Sequence, residues 1–309
     1  MAMKKKVLGA GVFNFDTIVV REYPDGPHKK KFIEHIISEE VGGTCGNVMT
    51  MLPYLGVDTY PVAIFDKSEQ GLQMKKDLER YGADTRFVRN EDKGGTTLLR
   101  CTHKTDPDGS HTISFRMTSP GSCFPRRKQL GALNGEAVSF AESLDFVPDL
   151  FFFDDPSAGN MVLARELRPR GTIVYFEPEG MGDKESTFLK RVEVSDVVKF
   201  SGERIKDVSF TDRFTDKLFI RTMGKDGLDF RLRGGRWIHI PPVANDNVVD
   251  WEGAGDWTSS AFIAGLLKGT TRDIRTISED VVKEILIEAQ IIASESVSYM
   301  GSKGMINSK

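Results

Sequence analysis

The chain has 309 residues, 39% hydrophobic and 28% charged, with a formal net charge of −3. That is enough chain for one large α/β domain with insertions or for two domains. The balance excludes a global basic field that would recruit nucleic acid, and no apolar run is long enough to span a bilayer. The runs Lys4-Lys5-Lys6 and His28-Lys29-Lys30-Lys31 are short and read as solvated edges. Cys45, Cys101 and Cys123 have no paired spacing, so they suggest neither a zinc site nor a disulfide framework, and a reducing cytoplasm is the expected setting. Met1 to Val20 has lysines ahead of an apolar run, but Asn14 and Asp16 interrupt it, which argues against a signal peptide.

Lys6 to Phe13 reads as a buried first strand. Its Gly9-Ala10-Gly11 is part of a dinucleotide fingerprint, but Asn14 stands where the third glycine belongs and no helical pattern follows. Asn14 and Asp16 fall two apart at the strand end, so in extended chain both face one way. They suit either a ligand at the sheet's carboxyl edge or a turn with local backbone bonds. Ile18–Val20 and Phe32–Ile37 suggest two strands joined through a Pro24–Pro27 turn. Gly42 and Gly43 then form a glycine loop ahead of a helix from about Asn47 to Leu55, with Pro53 shortening it.

From Thr59 the alternation becomes regular. A strand at Tyr60–Phe65 precedes a helix at about Ser68–Tyr81 capped by Gly82, then a strand at Thr85–Val88. Thr96–Lys104 and His111–Arg116 read as a hairpin across Asp106-Pro107-Asp108-Gly109. Strands at Asp149–Phe153, Thr172–Phe176, Asp196–Phe200 and Lys217–Thr222 follow, with helices at about Asn160–Leu167 and Lys184–Arg191. Such alternation implies a mostly parallel sheet covered on both faces. A late hairpin, Gly227–Arg233 with Trp237–Ile240, precedes Asp250-Trp251-Glu252-Gly253-Ala254-Gly255-Asp256 and two helices, the second at about Ser278–Val297.

The Gly253–Asp256 stretch has two readings. One is a capped helix after a glycine turn, with Asp256 at the N-cap. The other is an anion hole of uncovered N–H groups beside a carboxylate, an arrangement suited to phosphoryl transfer. In the second, the helix dipole should pull the Asp256 pKa down. No Walker A sequence is present, which argues against a P-loop kinase.

The order of these pieces is more specific than any one of them. A strand ending in Asn-x-Asp, a β insertion, Gly-Gly-x-x-x-Asn opening a helix, Thr222-Met223-Gly224-Lys225-Asp226-Gly227 and finally Gly-Ala-Gly-Asp resembles the ribokinase-like (PfkB) family of carbohydrate and nucleoside kinases along the whole chain. The resemblance implies a three-layer α/β sandwich over residues 1–309, with a small β lid from about 17–40 and 96–116. It implies ATP-dependent phosphorylation of a primary hydroxyl of a sugar, with Mg2+. A nucleoside acceptor is the nearest alternative, and a non-catalytic sugar or nucleotide sensor a further one. Asp256 matches the catalytic base, and Gly253, Ala254 and Gly255 the anion hole. Asn14, Asp16, Gly42, Gly43, Asn47 and Arg116 match the substrate side. Lys199, Ser201, Glu203, Thr222, Gly224 and Gly227 match the nucleotide side.

Departures from the family pattern mark where this chain is atypical. Trp251 follows Asp250 where a small hydroxyl residue is usual, which puts a monovalent cation at Asp250 in doubt. Arg204 stands where a glutamate is usual, with Glu203 one residue early. Trp257 reads as core packing. The resemblance also implies a dimer through the lid, for which the apolar strand Phe32–Ile37 is the candidate edge.

Overall fold

The computed structural model describes residues 4–23, 32–92, 95–105, 111–117, 135–182, 184–268 and 274–308. The Pro24–Pro27 turn, the His28–Lys31 run, the Asp106–Gly109 turn and Cys123 lie outside the described residues.

The chain begins with β1 (Lys6–Ala10), β2 (Asn14–Glu22), β3 (Ile33–Gly42) and α1 (Thr44–Tyr54). Next come β4 (Asp58–Pro61), β5 (Ala63–Phe65), α2 (Glu69–Arg80), β6 (Val88–Asn90), β7 (Thr97–Thr105), β8 (His111–Met117) and α3 (Ala137–Ser143). The alternating part holds β9 (Leu150–Phe153), α4 (Ala158–Leu167), β10 (Ile173–Phe176), α5 (Glu185–Val194), β11 (Val197–Ser201) and β12 (Leu218–Thr222). It closes with β13 (Leu228–Leu232), β14 (Ile238–Ile240), α6 (Ala254–Leu267), α7 (Glu279–Ser296) and α8 (Gly304–Asn307).

Eight strands form one sheet in the order β14-β13-β12-β11-β10-β9-β1-β4. From β4 to β12 the pairs are parallel, and β13 and β14 add an antiparallel edge. Side chains alternate across the sheet, so each strand feeds two cores. Val7, Phe152, Tyr175, Val197 and Ile220 face one core with α6 and α7. Leu8, Phe151, Phe153, Val174, Phe176, Val198 and Phe219 face the other with α3, α4 and α5. This is the expected three-layer α/β sandwich.

A four-stranded sheet, β3-β2-β7-β8, stands apart from the large one. The expected first strand to Phe13 divides because Asp154 Oδ1 accepts the Val12 N–H at 2.8 Å, turning the chain before β2. The expected Tyr60–Phe65 strand also divides. The Val62 N–H stays on Gly9 of the large sheet, while Ala63–Phe65 pairs with β6. At Thr85 a strand was expected, but Asp84 caps the Arg86 N–H and winds Thr85–Phe87 into a short 3-10 turn.

Beyond its first turn helix α6 has no exposed face: Trp257 to Leu267 are all buried, against α1, α7 and the large sheet. Of its buried hydroxyls, Thr258 donates to the Ala254 carbonyl at 2.9 Å within the helix, whereas Ser259 reaches Glu177 and Ser260 the Met51 sulfur. Trp257 is core, as expected, stacked edge-on with Tyr54 and donating Nε1–H to the Ser302 carbonyl at 2.8 Å. Among the described residues no helix is long and apolar enough to cross a membrane.

Candidate active site

The polar residues gather where the parallel strands end and α6 begins, the edge at which α/β sheets present ligands. Asp256 is not the N-cap. Gly253 takes that place in the left-handed region (φ 78°), its carbonyl receives the Trp257 N–H at 2.9 Å, and Asp256 lies inside the first turn. A residue with Cβ would fit poorly at 253, because that Cβ would lie 2.5 Å from Ser302 Cβ.

The Asp256 carboxylate accepts from Asn47 Nδ2 at 2.6 Å. The other end of that amide, Oδ1, accepts from Lys303 Nζ at 2.6 Å and Ser302 Oγ at 3.2 Å. Lys303 is fully buried. Contrary to the expected depression, the Asp256 pKa is pushed up to about 7. Loss of solvent is the main cause and the Glu177 charge adds to it, while Asn47, Lys199 and Lys303 oppose. Burial therefore outweighs the helix dipole here.

Asp16 is buried and its carboxyl is likewise pushed up to about 7, first by burial, with Lys303 opposing and Glu252 adding. Its Oδ1 has no hydrogen-bond partner among the described residues. Gly42 and Gly43 wrap it: a Cβ on Gly42 would lie 1.7 Å from Asp16 Oδ2, and the Gly43 N–H helps hold the charge. Asn14 lies two positions back on β2, buried on the same row. Asn14, Asp16, Gly42, Gly43 and Asn47 are thus brought together. Arg116 is not brought to them. In the sheet register Asp16 pairs with Leu99 and Leu99 with Met117, whereas Arg116 pairs with Arg100, one position off that row and on the opposite face.

On the other side of Asp256, Lys199 is buried in β11 and bonded to Glu177 at the end of β10. The Lys199 ammonium reaches within 3.8 Å of where a Cβ on Gly255 would lie, next to the Gly253–Gly255 amides. The second Glu177 oxygen accepts from Ser259 of α6 at 2.5 Å. Two residues further along β11, Ser201 pairs with Thr222 of β12. Glu203 Oε1 would lie 3.9 Å from a Cβ on Gly224, and Gly227 (φ 86°) has its backbone against the Ile240 carbonyl. Lys199, Ser201, Glu203, Thr222, Gly224 and Gly227 therefore line one strand-end edge.

At the front of the α6 loop, Asp250 is buried. Its Oδ1 accepts the Glu252 N–H and its Oδ2 the Gly301 N–H, each at 2.9 Å.

Glu177, Lys303 and the acidic pair Asp154 and Asp155 are site-edge residues that motif spacing does not reveal. Glu177 follows the apolar run Ile173–Phe176, and Asp154 follows Leu150–Phe153. A charge directly after a buried strand was a readable signal for both. Lys303, in a Gly-Ser-Lys-Gly turn near the end of the chain, carried none.

The fold is that of the ribokinase-type kinases. An uncharacterized sugar kinase from Pyrococcus horikoshii in complex with ATP superposes with a TM-score of 0.67 at 19% identity, over 96% of this chain and 93% of that one. Arabidopsis thaliana ribokinase complexed with ribose and ATP gives a TM-score of 0.67 at 16% identity, over 97% and 95%. In sequence, the chain is 24% identical over 268 residues to an ATP-dependent ribose-1-phosphate kinase from Halopiger xanaduensis, covering 84% of each. Residues 193–307 match the model of the pfkB family carbohydrate kinases. That region holds Lys199, Thr222 and the whole Asp250–Asp256 stretch.

Proposed function

We propose that this chain transfers the γ-phosphoryl group of ATP to a primary hydroxyl of a monosaccharide or related sugar. The observation that carries the reading is Asp256 in the first turn of α6, bonded to Asn47 and held near a pKa of 7 beside the Gly253–Gly255 amides. A carboxylate so raised is a better base toward an alcohol than an ordinary aspartate. It takes the proton as the hydroxyl oxygen attacks phosphorus. The N–H groups of Gly253, Ala254 and Gly255, with Lys199 behind them, hold the charge on the phosphoryl oxygens.

The unpartnered Asp16 Oδ1 supports a sugar hydroxyl as its partner, with Asn14 beside it. Arg116, which the family pattern places on the substrate side, reaches the sugar only if the small sheet presents its other face. Ser201, Glu203, Thr222, Gly224 and Gly227 form the nucleotide side. The β3-β2-β7-β8 sheet acts as the lid of a single kinase domain, excluding the water that would otherwise compete for ATP.

Mg2+ would enter with the phosphates and neutralise part of their charge. Glu203, on the strand-end edge beside Gly224, offers the carboxylate oxygens such a hard cation takes, whereas both Glu177 oxygens are held by Lys199 and Ser259. For a monovalent cation the fit at Asp250 is poor, because both its oxygens already accept backbone N–H groups. We assign Asp250 to anchoring the loop.

The test is ADP release over fructose, ribose, ketodeoxygluconate and adenosine, for the wild type and Asp256→Asn. A sugar should be turned over, and the folded variant should lose about 100-fold or more in kcat. Wild-type turnover in the variant would remove the base assignment. Preferred turnover of adenosine would make it a nucleoside kinase. Sugar binding without turnover would make it a sensor.

The lid also supplies an edge for self-association. β3 is one of the two outer strands of its sheet and exposes Ile33, Ile36 and Ile37. We propose edge-to-edge pairing of two copies there. Ile36→Lys should shift the mass measured by light scattering from dimer to monomer.

A further inference from the structure

We propose that Cys101, His103 and Glu252 form a binding site for a divalent transition-metal ion of the zinc class, joining the small sheet to the loop that opens α6. Cys101 and His103 lie two apart on β7, so both side chains leave the same face of the strand. Both are buried. Across from them, Glu252 comes from the Asp250–Gly253 loop.

The donor atoms converge at metal-ligand spacing. Cys101 Sγ is 3.5 Å from His103 Nε2 and 3.0 Å from Glu252 Oε2, and His103 Nε2 is 3.9 Å from Glu252 Oε2. Zinc bonds of roughly 2.0–2.3 Å in tetrahedral array place neighbouring ligand atoms about 3.4–3.6 Å apart. The observed separations bracket that value, so small rotamer shifts would seat an ion. Water would take the fourth position, since Asp250 Oδ2, 3.5 Å from His103 Nε2, already accepts the Gly301 N–H.

Chemistry and charge agree with this geometry. A thiol, an imidazole and a carboxylate are the ligand types that zinc and its neighbours accept, whereas Mg2+ and alkali cations favour all-oxygen sets. Asp250 and Glu252 bring two carboxylates to a buried location, and their ion-pair partner on the described residues is a histidine, not a lysine or arginine. On binding, the Cys101 S–H bond breaks, its proton leaves to solvent, and the sulfur lone pair bonds the metal with no change of oxidation state. The resulting thiolate and carboxylate balance the dication. Cysteine spacing concealed the site because it uses one cysteine, a histidine two residues on and a glutamate far along the chain.

The inference does not rest on the phosphoryl-transfer reading, since its readout is metal content. Purified full-length protein would be dialysed against Co2+, a coloured probe for zinc sites. We expect one equivalent per chain, a near-ultraviolet thiolate-to-cobalt absorption band, and displacement of both by Zn2+. Cys101→Ser should abolish the band. His103→Gln and Glu252→Gln should each weaken Co2+ binding roughly tenfold or more, with folding checked by circular dichroism without metal. His239→Gln, at an exposed histidine on another sheet, should change nothing. If wild type shows no thiolate band, or if its Co2+ binding persists unchanged in folded Glu252→Gln and His103→Gln, the site is a metal-free hydrogen-bonded cluster and the proposal fails.

Discussion

Asn47 and Asp256 meet across 2.6 Å although one opens α1 and the other opens α6. The amide is held at both ends. Its oxygen receives Lys303 and Ser302, so its nitrogen is turned toward the carboxylate. A flipped amide would set oxygen against oxygen at one end and donor against ammonium at the other. Asn47 thereby fixes the position of Asp256 and stabilises its charged form.

Asn47→Leu removes that donor with little change in volume. The Asp256 pKa should then rise further, because the bond to Asn47 is one of the influences that lower it. Turnover near neutral pH should fall roughly 10- to 100-fold, as for other groups that orient a reacting one. Part of the loss should return at higher pH. A pH–rate profile separates this from simple misfolding, which would lower the whole curve without moving its acid limb.

The raised carboxyls of Asp16 and Asp256 also set a stability trend. Each has a pKa near 7 in the folded chain, against an ordinary value of 3.8. Between those values the folded state binds more protons than the unfolded one, so stability falls as pH rises. The contribution is fully present below about pH 4 and gone above about pH 7. Other carboxylates act in the opposite sense, so the measurement is a difference. Without ligand, Asp16→Asn should lose less melting temperature than wild type between pH 5 and pH 8. Equal slopes would show that Asp16 is not held protonated by its burial.

Much of this was legible in the sequence, for identifiable reasons. The parallel sheet announced itself through short apolar runs such as Leu150–Phe153, which are buried on both faces. The Gly253–Asp256 turn was legible because left-handed backbone at Gly253 requires glycine. Three things were hidden. The rise in the Asp256 pKa depends on how much water the fold removes, and Lys303 reaches the site from a turn with no motif. The division of Tyr60–Phe65 into two strands depends on which sheet captures the backbone. Local alternation cannot encode that choice.

Lys303→Met tests the electrostatic share of the buried lysine. Lys303 opposes the burial-driven rise at both Asp16 and Asp256, so its loss should move both pKa values upward. The acid limb of kcat/KM should shift to higher pH, and turnover at pH 7 should drop. Because the ammonium also bonds Asn47 and Ser302, the variant should be less stable as well. Lys303→Arg keeps the charge and should hold the limb in place if the guanidinium fits. An unmoved limb in Lys303→Met would mean that this charge does not tune the carboxylates.

Gly253→Ala probes the turn on which the anion hole depends. Two costs add. Alanine in the left-handed region costs about 1–2 kcal/mol, and Gly253 sits there at φ 78°. The new methyl would also lie 2.5 Å from Ser302 Cβ and 2.8 Å from its Cα, so backbone must move. Overpacking of that kind costs typically 1–3 kcal/mol. The turn holding Ser302 is itself pinned, by the Gly301 N–H on Asp250 and by Trp257 Nε1–H on the Ser302 carbonyl, so it yields little. We therefore expect a loss of about 2 kcal/mol or more in urea denaturation and a fall in kcat greater than the rise in KM for the sugar. Gly255→Ala makes the contrast. A methyl at 255 meets nothing nearer than the Lys199 ammonium at 3.8 Å, and the residue lies within the helix. That variant should keep its stability and lose turnover alone, through crowding where the phosphate is held.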